Sequence, residues 1–384
     1  MPMPIQMVDT VGQYRRIQQE VDAAVLEVMA LGAYINGPAV KRFQQNLSTW
    51  MDVPHTIPCA NGTDALQVAL MALGLEPGDE VITPTFTYIA TVEVIALLRL
   101  RPVFVEVNPD TFNMDPAALE AAITPRTRAI MPVHLYGQAA DMNPIMEIAR
   151  KHGIPVVEDT AQAIGATYQL ADGTVRRVGT IGDIGTTSFY PSKNLGAYGD
   201  GGAIFTRDAA LAHTLWMICN HGAKEKYYHE TIGVNSRLDS MQAAILDVKL
   251  RHLDAYTEAR RAAARQYDAL LGGIEGIQTP VWHEDGSHVF HQYTVRVKAG
   301  RSVRDAIRQE LANRGVPTMI YYPVPIHLQT AYSQYGYQTG DFPVSEQLCE
   351  EVISLPMHSE LDEEQQVFIS SQFKEVFQSL IITQ

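Results

Sequence analysis

The chain has 384 residues, of which 46% are hydrophobic and 19% are charged, and at about 150 residues per domain this length predicts two or three compact units. Its net charge of −14 argues against a nucleic-acid-binding surface, which would need clustered lysine and arginine side chains. The N-terminal sequence MPMPIQMVDT has no basic region followed by an apolar run, and every apolar stretch is far shorter than the ~20 residues that span a bilayer. We therefore expect a cytoplasmic protein that does not enter a membrane.

Short apolar runs alternate with helical patterns from about residue 55 to residue 210. The runs are EVITP (80–84), PVFVEV (102–107), RAIMPVHL (128–135), IPVVED (154–159), GTTSFY (185–190) and GAIFT (202–206). Helical segments such as DPAALEAAI and NPIMEIARKHG lie between them, and YQLADGTVRR (168–177), with Asp172 and Gly173 at its centre, predicts a hairpin. Strands that alternate with helices predict an α/β fold with a mostly parallel central sheet and helices on both faces.

The segment 239–271 is predicted to form long helices that lead out of this first unit, with Met241, Ile245 and Val248 on one apolar stripe. After it, HVFHQYTVRV (288–297) has the alternation of a strand, and RSVRDAIRQELANRG (301–315) predicts a helix that ends at Gly315. We therefore predict a large α/β domain over residues 1–250 and a smaller α+β domain over residues 251–384.

Ligands of open α/β sheets bind beyond the carboxyl ends of the strands, so motifs at strand exits are the candidates for chemistry. In ANGTDALQVALMALGL, Asn61 and Gly62 predict a turn, and Thr63 or Asp64 predicts the start of a helix. The free backbone N–H groups at such a start favour a phosphate. By itself the motif is a weak signal, because most α/β proteins contain a glycine turn before a helix.

A carboxylate stands at another strand exit. The sequence IPVVEDTAQAIGA places Asp159 there, with Gln162 three residues later. In isolation a carboxylate at this position is more often a helix cap. The functional alternative is that it pairs with a cationic group of a ligand.

The stretch SFYPSKNLGAYGDGG (188–202) places Lys193 between an aromatic-rich entry and four glycines. A single lysine is ordinarily a solvated surface charge. Here we expect the glycines to let the backbone approach a flat ligand closely, and the apolar and aromatic neighbours to favour an unprotonated, nucleophilic amine.

A phosphate site, a carboxylate at one strand exit and a lysine at another, about 34 positions on, are together typical of pyridoxal phosphate chemistry. This cofactor forms a Schiff base with a lysine, needs a protonated ring nitrogen to act as an electron sink, and is anchored by its phosphate. The combination is far more specific than any of its parts.

Five segments carry a resemblance to a known family: NGTDALQVAL, TPTFTYIATVE, VEDTAQAIGA, SFYPSKNLGAYGDGGAI and GVNSRLDSMQAAIL. In this order, and over nearly the whole chain, they resemble the pyridoxal-phosphate-dependent nucleotide-sugar aminotransferases of the DegT/DnrJ/EryC1/StrS family. The resemblance implies the fold type I aminotransferase architecture and a homodimer with active sites at the subunit interface. It also implies glutamate as amino donor and a keto sugar linked to a nucleoside diphosphate as acceptor.

By position, the resemblance implies that Lys193 is the catalytic residue, which forms the Schiff base and moves a proton between the substrate Cα and the cofactor C4′. Asp159 would pair with the pyridinium nitrogen, and Gln162 would lie beside the ring oxygen, where other members have His. The remaining cofactor contacts would be stacking by Tyr88 and phosphate binding by Gly62, Thr63, Ser188 and, from the partner subunit, Asn235.

The substrate-side residues are expected around Arg237 and in MIYYPVPIHLQ (319–329). Arg237 would contact a carboxylate or a phosphate, since a planar guanidinium binds either bidentately. The second segment resembles the one that closes over the nucleotide sugar, which nominates Tyr321, Tyr322 and His327. The alternative is an aromatic core strand followed by a proline-rich turn.

The other histidines, among them His134 and His221, are predicted to be structural, because none has metal-ligand spacing with a second His or Cys. Cys59, Cys219 and Cys349 are widely spaced without CxxC pairing, which favours buried small apolar side chains. No metal site is predicted.

Three other functions are less compatible with the sequence. A Rossmann oxidoreductase would need GxGxxG at a strand-to-helix turn, and Tyr190 and Lys193 are spaced YxxK rather than the YxxxK of short-chain dehydrogenases. Sugar dehydratases of the same family carry His where Lys193 stands. A catalytically silent regulatory relative would be indicated by the loss of Lys193, Asp159 or Ser188, and all three are present.

The sequence after the lysine indicates the position of amination. GAYGDGGAI resembles members that aminate C3, whereas many C4-aminating relatives carry a TTGEGG-like sequence there. The predicted acceptor is a UDP-linked 2-acetamido-3-keto-uronic acid for surface polysaccharide, such as the O-antigen of lipopolysaccharide. A dTDP-3-keto-6-deoxyhexose or a 4-keto sugar is the alternative.

Overall fold

The computed structural model describes residues 5–282 and 286–382. Residues 1–4, which begin the first predicted domain and the N-terminal segment expected to carry no targeting signal, lie outside these ranges. So do residues 383–384, which end the second predicted domain. Fourteen strands are formed in the described part: β1 (His55–Cys59), β2 (Glu80–Pro84), β3 (Arg101–Val105), β4 (Thr127–Ile130), β5 (Val157–Asp159), β6 (Thr167–Gln169), β7 (Val175–Arg177), β8 (Ile184–Ser188), β9 (Gly202–Thr206), β10 (Ala223–Glu225), β11 (Tyr228–His229), β12 (Ile277–Gln278), β13 (Tyr293–Val297) and β14 (Val352–Leu355).

Twelve α-helices connect and cover these strands in the same ranges: α1 (Thr10–Leu31), α2 (Pro38–Met51), α3 (Gly62–Ala72), α4 (Ala90–Leu97), α5 (Pro116–Ala122), α6 (Met142–His152), α7 (Ala209–Cys219), α8 (Ser240–Leu250), α9 (Leu253–Leu271), α10 (Arg301–Asn313), α11 (Pro343–Glu351) and α12 (Glu363–Ile382). Short 3₁₀ helices lie at Leu135–Gly137, Ile326–Leu328 and Thr330–Tyr335. Among the described helices, none combines the length and the apolar character that crossing a bilayer requires.

The central sheet of the large domain has the strand order β1-β9-β8-β5-β4-β2-β3, with parallel bridges joining β4 to β5. Strand β9 pairs antiparallel with β1 and β8, whereas the pairs β5–β8, β2–β4 and β2–β3 are parallel. The predicted mostly parallel sheet is therefore confirmed. The edge strand β1 has no counterpart in the predicted series; it contains Pro58, a residue that sheets accept mainly at their edges.

Helices cover both faces of this sheet, as predicted. On β2, Val81 packs with α3, α4 and α7, whereas its neighbour Ile82 packs with α5 and α6. On β9, Ile204 faces α3 and α7, and Phe205 faces α2 and α8. The alternation of side chains along a strand thus produces one core on each side. The hairpin predicted for residues 168–177 is confirmed as β6 and β7.

The C-terminal part has a second core, in which α9, α10 and α12 pack on the antiparallel sheet β12-β13-β14. Helix α9 joins the two cores, because Leu253 lies in that of the large domain and Tyr267 in that of the small one. Ile5, at the other end of the chain, packs against the small core as well. The domain boundary at residue 250 stays a prediction.

The alternation predicted for residues 288–297 is wrong, since every residue of β13 is buried. Two of its polar side chains, Thr294 and Arg296, have partners in β14 or directly before it. Thr294 Oγ1 lies 2.8 Å from Ser354 Oγ, and Arg296 Nε donates to Glu351 Oε2 at 2.8 Å. The polar residues of β13 therefore do not mark a face of the strand that is exposed to solvent, because their hydrogen-bonding groups have partners inside the domain.

Candidate active site

A cavity of about 520 Å³ lies where β2, β5 and β8 end. It is the edge of the sheet at which parallel strands present their carboxyl ends, as expected for a ligand site. Nine of the predicted site residues line it: Gly62, Thr63, Tyr88, Asp159, Gln162, Ser188, Lys193, Tyr321 and Tyr322.

Lys193 reaches this cavity from the loop 189–201, which follows β8. Backbone hydrogen bonds hold the loop, since Lys193 N donates to Tyr190 O at 2.8 Å and Ala197 N to Phe189 O at 2.7 Å. Lys193 is partly buried, and desolvation of its amine lowers the pKa of Lys193 to about 8 against the opposing effect of Asp159. The direction agrees with the expectation that this lysine loses its proton readily, which stays a prediction.

Asp159 ends β5 and is 5% exposed. Its Oδ2 accepts a hydrogen bond from Thr91 Oγ1 at 2.8 Å, and its Oδ1 accepts one from Ala161 N at 3.1 Å. The second contact is a capping interaction, although residues 161–165 form turns rather than a helix. The first contact comes from α4, so two separate elements fix the carboxylate at the cavity wall.

A buried polar network supports β5 from behind. Glu158, one residue before Asp159, lies 3.0 Å from His134 Nε2 through its Oε2, and both side chains are fully buried. Ala140 N donates to His134 Nδ1 at 2.9 Å, so Nδ1 is the acceptor and Nε2 carries the proton. Glu158 also accepts from the backbone N–H groups of Gly179, Ile181 and Gly182. The predicted structural role of His134 is confirmed.

Gln162 connects the large domain to the segment 319–329. Its Oε1 accepts from Tyr136 N at 2.8 Å, and its Nε2 donates to Tyr322 Oη at 3.0 Å. Tyr136 Oη in turn donates to the carbonyl of Tyr321. The segment forms no strand before the 3₁₀ helix at Ile326–Leu328, apart from an isolated antiparallel bridge between Met319 and Ser354, and a substrate-side role for Tyr321 and Tyr322 stays a prediction.

The helix start predicted for phosphate lies at Gly62. Asn61 is the N-cap, and its Oδ1 accepts from Asp64 N at 2.8 Å. A Cβ on Gly62 would lie 2.6 Å from Ser188 Cβ, so a side chain here would clash with the end of β8. The first N–H groups of α3 have no partner within the helix, and Gly62 and Thr63 both line the cavity.

The four glycines after Lys193 are Gly196, Gly199, Gly201 and Gly202. A Cβ on Gly196 would lie 2.3 Å from Pro191 O, and one on Gly202 would lie 2.5 Å from Asn61 O. A Cβ on Gly199 or Gly201 would likewise meet Gln242 Nε2 at 2.9 Å or Leu238 Cδ1 at 3.0 Å, so all four glycines serve contacts within the protein, and their approach to a flat ligand stays a prediction. They let the loop fold tightly on itself and pack against the start of α3.

Asn235 and Arg237 lie outside this cavity and line a second recess of about 530 Å³. The two spaces share Asn61 and Asp200 as lining residues. One chain therefore places Asn235 and Arg237 beside the Lys193 cavity rather than within it.

His327 is not brought to the cavity, contrary to its nomination as a substrate-side residue. It is 1% exposed, its Nδ1 lies 2.8 Å from Thr85 Oγ1, and its Nε2 lies 3.2 Å from Glu346 Oε1. Burial lowers the pKa of His327, against the opposing effect of Glu346. The side chain thus fastens the segment 319–329 to the end of β2 and to α11.

Several cavity residues were not predicted: Asn61, Thr87, Tyr190, Asp200, His291 and Gln292. His291 falls among the histidines predicted to be structural for lack of metal-ligand spacing, and it stands 98 positions after Lys193 with no local motif that would link the two. Thr91, which donates to Asp159, belongs to the segment TPTFTYIATVE, where a hydroxyl beyond a strand exit was an available signal.

The residues present fit pyridoxal phosphate. An enclosed lysine with a lowered pKa shares the cavity with a buried carboxylate, and a glycine-started helix directs N–H groups to one end of it. Within the ranges that the structure describes, no group of three His, Cys, Asp or Glu side chains is arranged to hold a metal ion. The three cysteines are free and buried, as predicted.

Known proteins resemble this chain over almost its whole length. A pleiotropic regulatory protein of Geobacillus stearothermophilus is 47% identical, covering 98% of this chain and 99% of that protein. The UDP-2-acetamido-2-deoxy-3-oxo-D-glucuronate aminotransferase of Pseudomonas aeruginosa is 46% identical, covering 93% and 96%. The dTDP-3-amino-3,4,6-trideoxy-alpha-D-glucose transaminase of Streptomyces venezuelae is 43% identical, covering 94% and 93%.

The fold agrees with these relatives. The crystal structure of S. venezuelae DesV in complex with a ketimine intermediate superposes with a TM-score of 0.92, at 42% identity, over 97% of this chain and 98% of that one. The predicted fold type I architecture is therefore confirmed. The model of the DegT/DnrJ/EryC1/StrS aminotransferase family matches residues 15–374. This match and the geometry of the Lys193 cavity show that the chain belongs to that family, as a nucleotide-sugar aminotransferase that uses pyridoxal phosphate.

Proposed function

We propose that the enzyme transfers an amino group from glutamate to C3 of a UDP-linked 2-acetamido-3-keto-uronic acid, for the synthesis of a surface polysaccharide such as an O-antigen lipopolysaccharide. The observation that carries the chemistry is the enclosed amine of Lys193 in the same cavity as the buried Asp159. The acceptor is supported by the 46% identity to the Pseudomonas aeruginosa enzyme and by GAYGDGGAI after the lysine. Cytoplasmic location stays a prediction.

We assign the cofactor ring to the space between β2, β5 and the segment 319–329. Asp159, oriented by Thr91 and Ala161, would pair with the protonated ring nitrogen. Gln162 would lie beside the ring oxygen, and Tyr88 would stack on the ring. When bound, pyridoxal phosphate supplies the electron sink that stabilises negative charge at the reacting carbon.

The phosphate is assigned to the start of α3. Gly62, Thr63 and Ser188 all line the cavity, and the N–H groups of Gly62 and Thr63 belong to the first turn of α3. Backbone donors at a helix start suit an anion, and the close contact between Gly62 and Ser188 keeps them together.

Lys193 is the proton carrier. Its Nζ accepts the proton from Cα of the amino donor and later returns one to the carbon that receives the amine. Because burial lowers the pKa of Lys193 to about 8, a useful fraction of the amine is uncharged near neutral pH.

We further propose a homodimer in which the partner subunit's Asn235 completes the phosphate site. In one chain Asn235 and Arg237 stand in the adjoining recess, where Arg237 is available to a carboxylate or phosphate of a substrate. The nearby hairpin β10–β11 and the residues after it expose Tyr227, Tyr228 and Ile232 at 81%, 71% and 84%. Apolar side chains exposed together to this extent are typical of interfaces.

A dTDP-3-keto-6-deoxyhexose is the second candidate acceptor, with a 4-keto sugar as a further variant. It is supported by the 43% identity to the Streptomyces venezuelae transaminase. A catalytically silent regulatory role is disfavoured, because Lys193, Asp159 and Ser188 are all present and line the same cavity.

The test is a comparison of acceptors. Purified enzyme is incubated with glutamate and either the UDP-linked 3-keto uronate or the dTDP-linked 3-keto sugar, and aminated sugar and 2-oxoglutarate are measured by mass spectrometry. We expect a higher kcat/KM for the UDP sugar, with the new amine at C3. A preference for the dTDP sugar would contradict the proposed acceptor and leave the aminotransferase chemistry standing.

Lys193→Ala is the matched inactive variant. We expect turnover to fall by at least about a thousandfold, because proton transfer by a positioned group contributes about 10²–10⁴ and the covalent link to the protein is lost as well. Borohydride should fix the cofactor to the wild-type peptide that contains Lys193 and not to the variant. Substantial turnover by the variant would remove Lys193 from its assigned role.

A further inference from the structure

The hydroxyl of Tyr322 ends a short chain of hydrogen bonds beside the cavity that contains Lys193. We propose that this hydroxyl donates a hydrogen bond to the ring oxygen of pyridoxal phosphate, alongside the amide of Gln162. This role differs from the substrate-side role expected for Tyr322 from the family resemblance. It rests on the assignment of Gln162 to the ring oxygen under the proposed function, and it is independent of the identity of the sugar.

A backbone group fixes the orientation of the Gln162 amide. Tyr136 N donates to Gln162 Oε1 at 2.8 Å, and a backbone N–H can only donate, so this atom of the amide is its oxygen. The other atom, Nε2, is therefore the NH₂ group. The backbone of Tyr136 is held in turn, because its carbonyl accepts from Gln292 N at 3.2 Å. The amide of Gln162 thus presents a donor to the segment 319–329.

Tyr322 is consequently the acceptor in its contact with Gln162. The Nε2 group donates to Tyr322 Oη at 3.0 Å, so the proton of the hydroxyl is directed to another partner. Within residues 5–282 and 286–382, no side chain or carbonyl accepts a hydrogen bond from this hydroxyl. A tyrosine hydroxyl inside a protein usually has an acceptor, and Gln162, Asp159 and Tyr88 around this one all line the cavity. The free proton is therefore available to a ligand in that cavity.

Aromatic contacts restrict the ring that carries this hydroxyl. The centre of the Tyr322 ring lies 6.3 Å from that of Phe86, at an angle of 68° between the two rings, and 6.1 Å from that of Tyr88. The ring of Tyr321 lies 5.9 Å away. Because the side chain is already held by these rings and by Gln162, a bond from its hydroxyl to a ligand costs little conformational entropy.

The surroundings also keep the hydroxyl protonated. Burial raises the pKa of Tyr322, against the opposing hydrogen bond from Gln162. Negative charge on the nearby titratable groups acts in the same direction as burial, and these groups are Tyr321, Asp159 and Tyr88. The hydroxyl therefore stays a donor throughout the neutral pH range.

The ring oxygen of the cofactor is the acceptor that fits this donor. It carries negative charge when the cofactor is bound to a lysine, and hydrogen bonds to an ionised acceptor are stronger than those between neutral groups. Gln162 is assigned to the same oxygen, and its Nε2 has a second hydrogen besides the one that Tyr322 accepts. An amide and a hydroxyl 3.0 Å apart can therefore donate to one oxygen atom, and the bond between them polarises the hydroxyl.

The test compares two cofactors in two proteins. Cofactor-free wild type and Tyr322→Phe, which keeps the ring and loses the hydroxyl, are titrated by equilibrium dialysis with pyridoxal phosphate and with 3-deoxypyridoxal phosphate, which lacks the ring oxygen. We expect the substitution to raise the Kd for pyridoxal phosphate about tenfold and to change the Kd for the analogue by less than about twofold. An equal change for both ligands would overturn the proposal, because the hydroxyl would then not act on the ring oxygen.

A second measurement follows the protonation of the Schiff base in the loaded protein, without an amino donor, by its visible absorption against pH. A donor to the ring oxygen stabilises the deprotonated Schiff base most, because there the negative charge of the oxygen has no imine proton beside it. Loss of the donor should therefore raise the pKa of the Schiff base, and we expect a rise of about one unit in Tyr322→Phe. An equal or lower pKa in the variant would also overturn the proposal.

Tyr321→Phe is the matched control. It removes the adjacent hydroxyl, whose residue lines the same cavity, and keeps the carbonyl that accepts from Tyr136. Both readouts should match those of the wild type, and shifts as large as those of Tyr322→Phe would contradict a specific role of Tyr322. Thermal unfolding and circular dichroism check that each variant is folded. Neither readout uses a sugar, so an error in the proposed acceptor leaves both unaffected.

Discussion

At the residue scale, Lys193 and Asp159 are two ionisable side chains that line one cavity in different surroundings. The lysine amine is desolvated, which lowers its pKa to about 8. The carboxylate receives hydrogen bonds from Thr91 and Ala161. Desolvation thereby favours the uncharged form of the Lys193 amine, and the hydrogen-bond donors hold the Asp159 carboxylate in place.

The hydroxyl of Thr91 gives a prediction at this scale. Thr91→Val keeps the shape of the side chain and removes a donor to a charged group, an interaction worth about 1.5–3 kcal/mol. We expect the Kd for pyridoxal phosphate, measured by equilibrium dialysis, to rise about tenfold to a hundredfold, because Asp159 is no longer held toward the ring nitrogen.

Thr83→Val is the control for Thr91→Val. Thr83, near the end of β2, is also buried, but its Oγ1 donates to Met131 O at 3.0 Å. Thr83 does not line the cavity. We expect the Kd for pyridoxal phosphate to be unchanged in this variant. The same Kd in both variants would show that Thr91 does not act through Asp159.

At the element scale, helix α8 holds the lysine loop through a second buried lysine. Lys249 is 1% exposed, its Nζ donates to Gly196 O, and it lies 5.1 Å from the centre of the Tyr198 ring. Burial, reinforced by Arg260, lowers the pKa of Lys249 to about 7. The loop that carries Lys193 is thus fixed to α8 by the amine of Lys249, which loses its proton more readily in the folded chain than in the unfolded chain.

This arrangement predicts a pH dependence of stability. An unfolded lysine has a pKa of about 10.4, so between about pH 7 and pH 10 the unfolded chain binds one proton more than the folded chain at this site. The free energy of unfolding should rise with pH in that window by up to about 1.4 kcal/mol per unit, and this contribution should vanish in Lys249→Met.

The measurement is urea unfolding of cofactor-free wild type and Lys249→Met from pH 7 to pH 9. Lys41→Met, which removes an exposed amine on α2, is the control and should follow the wild type. A constant difference in free energy between wild type and Lys249→Met across this range would contradict a lowered pKa of Lys249.

At the scale of the whole molecule, the cavity of one chain contains a lysine, a carboxylate and a helix start, whereas Asn235 and Arg237 stand next to it. The exposed apolar residues of the hairpin β10–β11 region lie on the same segment as Asn235. Association of two chains through this region would bury those apolar side chains. It would also bring Asn235 and Arg237 of one chain to the Lys193 cavity of the other.

Ile232→Glu tests this association. Ile232 is 84% exposed, so the change is tolerated in one folded chain, but it would place a charge in the proposed interface. We expect sedimentation to show a dimer for the wild type and a larger monomer fraction for the variant, with weaker cofactor binding. Ile382→Glu, at an equally exposed position (85%) on α12, should remain dimeric. Dissociation in both variants, or in neither, would contradict this interface.

Sequence patterns were sufficient where the signal lies in consecutive residues. The runs EVITP and GAIFT coincide with β2 and β9, and Asn61 and Gly62 are the N-cap and first residue of α3, one or two residues before the predicted start at Thr63 or Asp64. Lys193 and Asp159 could be placed at strand exits because a strand, its last residue and the following turn are read from a short stretch of chain, whereas Gly62 was placed by its turn and the helix after it, since β1 was not predicted.

The sequence by itself therefore determined an α/β sheet, the edge of that sheet at which chemistry occurs and the residues that β5, β8 and α3 bring there. Tertiary structure alone decided which side chains from other parts of the chain meet them. It placed His291 in the cavity that contains Lys193, turned His327 toward Thr85 and Glu346, and used the glycines after Lys193 for contacts within the protein. The physical reason is that hydrophobic periodicity reports which face of an element is buried, whereas the partner of a polar side chain depends on how distant elements pack.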